Sequence, residues 1–461
     1  MISIPLNIGF KNGCLRKYFP SGIALLILVS MTALAEGGVQ PLPAIPGVPT
    51  SSLYRVAING KDVPVNDESR YDFQTAFYTL SGSAMITVRV PSEARECQVL
   101  PSRYGLQPQI ENGAITFTVS EPLRLVVKVP GQQPLALIAT PTEVNPPKPK
   151  DADVLYFAPG VHEAGVIQPK SGQTIYLAPG ALVKGRIEAK NVQNVVVKGR
   201  GILDTSAHSI RKDKTLGILF ERSSKITVEG IGVRGGSWWQ SLYLLTDDVS
   251  ISDMNLFGKE VNTDGIDIDG VQRLTARRCF IRCGDDGFGW HAVDARRNGE
   301  PPTQDCVAED CVIWNTTAGN GLRVGASMET RLFERITFRN IDVLNYALVA
   351  ICSDHSDWAM CKDIRFENFR IDAAGPTAIE IIIAKTRYSN DNGYREERGH
   401  YDGLYFTNVT APNGKIILKG ADANHLIDNI TFKNCVIGGK PVRAMSDLVV
   451  NEFVRNVTFE P

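Results

Sequence analysis

Three aspartates carry the most specific chemistry in this chain. Asp264 lies in Asn262-Thr263-Asp264-Gly265, and Asp285 and Asp286 lie in Gly284-Asp285-Asp286-Gly287. Asp285 follows Asp264 by 21 positions. That is close to one coil of a parallel β-solenoid, so the two motifs are expected on adjacent rungs, about 4.8 Å apart. Carboxylates gathered in one patch repel each other, and a chain that collects them usually has a reaction or a metal for them. One reaction that needs such a group is glycoside hydrolysis, with one carboxyl to protonate the leaving oxygen and another to deprotonate the attacking water. Inverting enzymes keep these carboxyls roughly 6.5–9.5 Å apart so that water fits between them. A diagonal offset between neighbouring rungs would supply that gap. Adjacent strand residues face opposite ways, so Asp285 and Asp286 share a cleft only if the chain bends there. Gly284 and Gly287 allow the bend. The plainer readings are solvated turn aspartates, since Asp-Gly is an ordinary turn, or a calcium site.

The elements that must hold these groups are legible as a repeat. From about Asp151 to the C-terminus, short strand triplets recur: Val195-Val196-Val197, Ile226-Thr227-Val228, Val249-Ser250-Ile251, Leu274-Thr275-Ala276, Cys306-Val307-Ala308, Ile336-Thr337-Phe338, Ile364-Arg365-Phe366, Leu404-Tyr405-Phe406, Ile430-Thr431-Phe432 and Val457-Thr458-Phe459. Most intervals run from the twenties to the low thirties, too short for a propeller blade of about 40–50 residues. The pattern predicts an all-β fold, a right-handed parallel β-helix over residues 151–461. Asn340, Asn368, Asn408 and Asn434 share one offset after their triplets, which predicts a stacked asparagine column at a turn. Residues 51–139 alternate apolar and polar residues between turns such as Asn59-Gly60 and Asn112-Gly113, the pattern of a small β-sandwich. Residues 140–150, with Pro141, Pro146, Pro147 and Pro149, read as a stiff linker. Residues 36–50 read as a flexible lead-in.

Residues 1–35 read as a signal peptide. Lys11, Arg16 and Lys17 precede an apolar run from Gly22 to Leu34, and Ala33-Leu34-Ala35 fits a cleavage site. The run is short for a membrane span of about 20 residues. A secreted or periplasmic protein is expected. The net charge of −1 gives no overall field for nucleic acid, and no glycine-rich loop has the strand-to-helix setting of a phosphate site. Eight cysteines follow the signal. Exported chains form disulfides, and Cys352 with Cys361 or Cys283 with Cys306 are candidate pairs, against buried free thiols. No spacing suggests structural zinc, and neither a metal nor a cofactor is expected.

The aspartate motifs resemble those of the polygalacturonase superfamily, glycoside hydrolase family 28, and its dextranase relatives in family 49. The resemblance covers about residues 151–460. Asn262-Thr263-Asp264-Gly265 is similar to the family's Asn-Thr-Asp-Gly motif, Gly284-Asp285-Asp286 to its Gly-Asp-Asp, and Gly235 to Leu242 to the Trp-containing turn before them. Two positions depart from the pattern. Asn320, in Asn320-Gly321-Leu322-Arg323-Val324-Gly325, stands where the family has His. Leu348 to Cys352, without a basic residue, stands where the family has the Arg-x-Lys that grips a uronate.

The resemblance implies a pectin-lyase-like solenoid and an exported polysaccharide hydrolase, inverting, with Asp264, Asp285 and Asp286 catalytic. It assigns Asp285 as general acid, its proton held by the neighbouring negative charges, while Asp264 and Asp286 hold and deprotonate the water. The departures shift the expected substrate from unmodified galacturonan to a neutral or modified glycan such as an α-glucan. Arg323, Lys385 or Arg387 would have to supply any positive contact. Asn262, Trp239, His291, Asn320 and Arg323 are the candidate substrate-binding residues. Trp238, Trp239 and Trp290 are candidate stacking platforms for sugar rings, with one of the Trp238–Trp239 pair expected in packing. Asp267 and Asp269 alternate with Ile266 and Ile268 and are expected to cap or solvate a strand. The alternatives are a polysaccharide lyase and a non-catalytic glycan-binding solenoid.

Overall fold

The computed structural model describes residues 38–91, 94–207, 214–236, 238–293, 295–387 and 397–461. The expected signal segment, and most of the loop around Arg387 to Arg398, lie outside these. From Val154 to Glu460 the chain winds as a right-handed parallel β-helix. Among the described residues, one face is a sheet of twelve strands, and the rest of each coil feeds a second sheet of 21 strands. All ten triplets lie in the first sheet. Their outer residues point inward, so Ile336, Ile364, Leu404, Ile430 and Val457 align across successive coils. Two positions on, Phe338, Phe366, Phe406, Phe432 and Phe459 stack with ring centroids 5.6, 5.0, 4.9 and 5.9 Å apart.

The asparagine column exists and has a backbone cause. Asn340, Asn368, Asn408 and Asn434 all have positive φ, from 49° to 58°, a conformation that asparagine tolerates better than most residues. Asn408 Nδ2 donates to Asn368 Oδ1 at 2.7 Å and Asn434 Nδ2 to Asn408 Oδ1 at 2.8 Å. Asn340 leaves the column and pairs with Asp310 and Arg370 instead.

The N-terminal sandwich has a six-stranded and a five-stranded sheet around Val56, Ile86, Val88, Leu125 and Leu137. Strand Leu135–Thr140 is buried along its whole length. Its outer face and its neighbours' (Phe73, Val126, Ala136, Ile138) pack on Phe257, Phe280, Val312, Trp314 and Leu344 of the β-helix. Burial on both faces explains why its sequence does not alternate. Arg282, just before the Asp pair, is clamped between the rings of Phe73 and Trp314, at 5.0 and 5.2 Å. The sandwich thus braces the coil that carries the site.

Two expectations change. Residues 38–41 are not flexible: Gly38–Pro41 is a strand paired with Phe73–Ser81, and Val39, Leu42 and Ile45 are buried. All eight cysteines after the signal are free thiols, seven of them buried as small apolar groups, so neither candidate disulfide forms.

Candidate active site

The second sheet builds the site by register. Ile266, Phe288, Leu322, Ile351 and Ile379 align on consecutive rungs. Two residues before the first three of these stand Asp264, Asp286 and Asn320, which therefore form a column at the strand entrances. A glycine column runs beside them. A Cβ on Gly265 would sit 2.3 Å from Gly287 O, and one on Gly287 would sit 2.3 Å from Gly321 O. Only glycine lets the coils approach this closely where the chain turns into the strands. Asp285 points to the groove, and a Cβ on Gly319 would sit 2.2 Å from its Oδ1. The bend predicted from the flanking glycines thus brings both aspartates of the pair to one place.

Asp264, Asp285 and Asp286 each offer an oxygen, and these lie within 4.8 Å of one another. One water at about 2.8 Å from each of two oxygens bridges up to about 5.6 Å, so the space admits a bridging water. Asp285 Oδ2 accepts from the Asn262 backbone N–H at 2.9 Å, and its carboxyl lines the groove. Asp286 Oδ1 accepts from Asn320 N and Nδ2 at 2.7 and 2.8 Å. Its Oδ2 lies 3.5 Å from Arg323 Nη1. Burial lifts the Asp286 carboxyl to about 6, against the opposing pull of Arg323 and Asn320. Burial, then the charges of Asp267, Asp286 and Asp285, hold Asp264 well above the usual carboxylate range.

Behind Asp264 stand Asp267 and His291. Asp267 is fully buried with neither oxygen hydrogen-bonded among the described residues, and burial holds its carboxyl far above the usual range. His291 Nε2 lies 3.4 Å from Asp267 Oδ1, and its ring stacks on Trp239 at 5.4 Å. Burial and Arg323 push the imidazole down to about 3, so it is neutral at working pH. Asp267 is therefore not a solvated strand residue, as its sequence position suggested. It is a buried neighbour of the candidate base.

The walls of the groove beside the aspartates include Trp238, Asn262, Asp285, Asn320, Arg323, Cys352, Asp354, Glu380 and Arg387. The candidate residues divide accordingly. Asn262 and Arg323 line the groove. Asn320 lines it too, but its amide is spent on Asp286. Trp238 is in the wall, with Lys214 Nζ 4.9 Å from its ring centre, whereas Trp239 packs on His291. Trp290 is no platform: it is fully buried in the coil, 4.4 Å from Phe338. Its alignment with Ile268 on the inward face required that.

No family model matches the chain. Dex49A from Penicillium minioluteum superposes with a TM-score of 0.68 at 15% identity, over 91% of this chain and 96% of that one. The chain shares the fold of Dex49A. A polygalacturonase from Erwinia carotovora ssp. carotovora aligns over 65% of this chain and 87% of its own, with a TM-score of 0.49 and 15% identity. In sequence, a probable exopolygalacturonase B of Aspergillus terreus is 24% identical over 222 residues. That match spans 42% of this chain and only half the length of the relative. The expected resemblance thus has a counterpart in fold with Dex49A and, over part of the chain, in sequence with a probable exopolygalacturonase.

The raised carboxyl of Asp286 has a stability consequence of defined sign. Its folded value, about 6 against 3.8 ordinarily, means that ionising it in the fold costs up to about 3 kcal/mol. The penalty is fully present above pH 6 and fades as pH falls from 6 toward 4, where both states bind the proton. Asp286→Asn keeps an acceptor for Asn320 and removes the charge. It should raise Tm at pH 7 and leave Tm nearly unchanged at pH 4. Calorimetry at the two pH values measures this, and a destabilised variant at pH 7 would refute it.

Proposed function

We propose that this chain is an exported glycoside hydrolase that cleaves a polysaccharide with inversion of configuration. The observation that carries the reading is the meeting of three carboxyls at the groove edge, close enough to share a water. Asp285, facing the groove, protonates the glycosidic oxygen. Asp286 and Asp264, buried on adjacent rungs, hold the water and take its proton. Asn320 orients Asp286, and Arg323 favours its ionised form. Arg323 also disfavours a calcium ion in the trio, because its guanidinium already supplies positive charge beside Asp286. That weighs against the lyase reading. The basic start and apolar run before Ala35 support export. Among the described residues no helix is long and apolar enough to cross a membrane.

The test is a reducing-end screen over dextran, pullulan, galacturonan, rhamnogalacturonan and algal glycans. NMR of the first-formed anomer gives the stereochemistry. New reducing ends of inverted configuration support the reading. Unsaturated, ultraviolet-absorbing products or no release from any glycan would overturn it, and retained configuration would overturn the inversion.

A further inference from the structure

Beyond the catalytic rung, one column of outward-facing residues runs along the groove. Register aligns Gly289, Arg323, Cys352 and Glu380 on successive coils. Arg323 is not available as an anion anchor. Its Nε donates to Asp354 Oδ1 at 2.8 Å, Nη2 pairs with Asp354 Oδ2, and Nη1 faces Asp286. Arg387, the other cation in the wall, is also engaged by the protein. The next two positions of the column are a buried thiol and a half-buried carboxylate. Among the described residues, no side chain hydrogen-bonds Glu380.

From this arrangement we infer that Glu380 is a specificity residue, a carboxylate that receives the hydroxyls of a neutral sugar and turns away a uronate. An ionised carboxylate accepts hydrogen bonds at two oxygens and donates none. Paired hydroxyls of a neutral pyranose satisfy both with charge-assisted bonds. A uronate carboxylate would meet Glu380 and Asp354, and the two cations among the described residues lining this groove, Arg323 and Arg387, are already engaged. Burial and Asp354 already lift the Glu380 carboxyl, against the pull of Lys419. A second negative charge there would be still less favourable. Glu380 lies three rungs from the strand that follows the Asp pair, about 14 Å along the axis. It therefore reads a sugar beyond the two joined by the cleaved bond, and it matters only for substrates long enough to reach it.

The inference rests on the hydrolase reading for its meaning, but its test does not need turnover. Binding is measured by calorimetry in an Asp285→Asn background, with isomalto- and malto-oligosaccharides of two and six units and with hexagalacturonate. The expected result is that a neutral hexasaccharide binds and hexagalacturonate does not. Adding Glu380→Gln should weaken the hexasaccharide about 10-fold or more, as loss of charged hydrogen bonds implies, and leave the disaccharide unchanged. Glu380→Lys should gain affinity for hexagalacturonate. Equal loss for both lengths would mark Glu380 as merely structural. Binding of hexagalacturonate by the parent, unchanged neutral affinity in Glu380→Gln, or binding of no glycan would each overturn the inference. Inactivity in the reducing-end screen together with selective neutral binding would instead overturn the hydrolase reading alone.

Discussion

Asp285→Asn should lower kcat on the polymer substrate by about 10²- to 10⁴-fold, the range that general acid–base groups supply, and change KM little. The loss corresponds to about 3–5.5 kcal/mol of transition-state stabilisation. The argument is positional. Of the three carboxyls only that of Asp285 faces the groove, where a glycosidic oxygen would lie, and it is fixed there by the Asn262 N–H. The same variant distinguishes an acid from a base. An aryl glycoside with a readily expelled leaving group needs little protonation, so Asp285→Asn should retain most activity on it. Asp264→Asn and Asp286→Asn should lose activity equally on both substrates, because each still needs its water deprotonated. Near wild-type turnover of the polymer by Asp285→Asn would remove it from the mechanism. An equal loss on both substrates would reassign it to the water.

The sequence showed one side of this molecule much better than the other. The ten triplets all lie in the twelve-stranded sheet because each coil there repeats one demand, an apolar residue on either side of an outward one. Ile336-Thr337-Phe338 and Ile364-Arg365-Phe366 are instances of it. Strands of the second sheet carry the groove and obey function as well as packing. Ile266-Asp267-Ile268-Asp269 and Phe288-Gly289-Trp290-His291 have the right inward residues, yet their outward ones are acids, glycine and imidazole. The aspartate trio was legible because glycine flanks marked the bend. The role of Asn320 was not: its contact is with Asp286, 34 positions earlier, and only the register of coils creates it. Asp267 and Glu380 were hidden for the same reason. On a lone strand an outward acid reads as solvated. Two or three rungs of neighbours are needed to show that one is buried behind the candidate base and the other faces the groove. Trp290 is a candidate platform by residue type alone, whereas strand alternation turns its indole into the core.

Replacing Arg323 should give the second large effect, and a double substitution separates its two jobs. Arg323 stands between Asp354, which it grips through two nitrogens, and Asp286, 3.5 Å from a third. Arg323→Met keeps the length of the side chain and strands both carboxylates. Removing one partner of a buried ion pair typically costs about 3–5 kcal/mol, so Tm should fall clearly at pH 7. Asp286 should also change its titration. Arg323 is the largest influence holding its carboxyl down against burial, so without the guanidinium the carboxyl rises above about 6. If Asp286 must be ionised to take the water's proton, the acidic limb of the pH–rate profile should move to higher pH. Activity at pH 6 should then fall more than activity at pH 8. Adding Asp354→Asn to Arg323→Met removes the stranded surface-side charge and should recover much of the lost Tm. The acidic limb should stay displaced, because Asp286 still has no cation beside it. Recovery of both would mean that Arg323 acts on the site only by holding the wall in place. An acidic limb unmoved in the single variant would show that Asp286 is not the group whose ionisation starts the reaction.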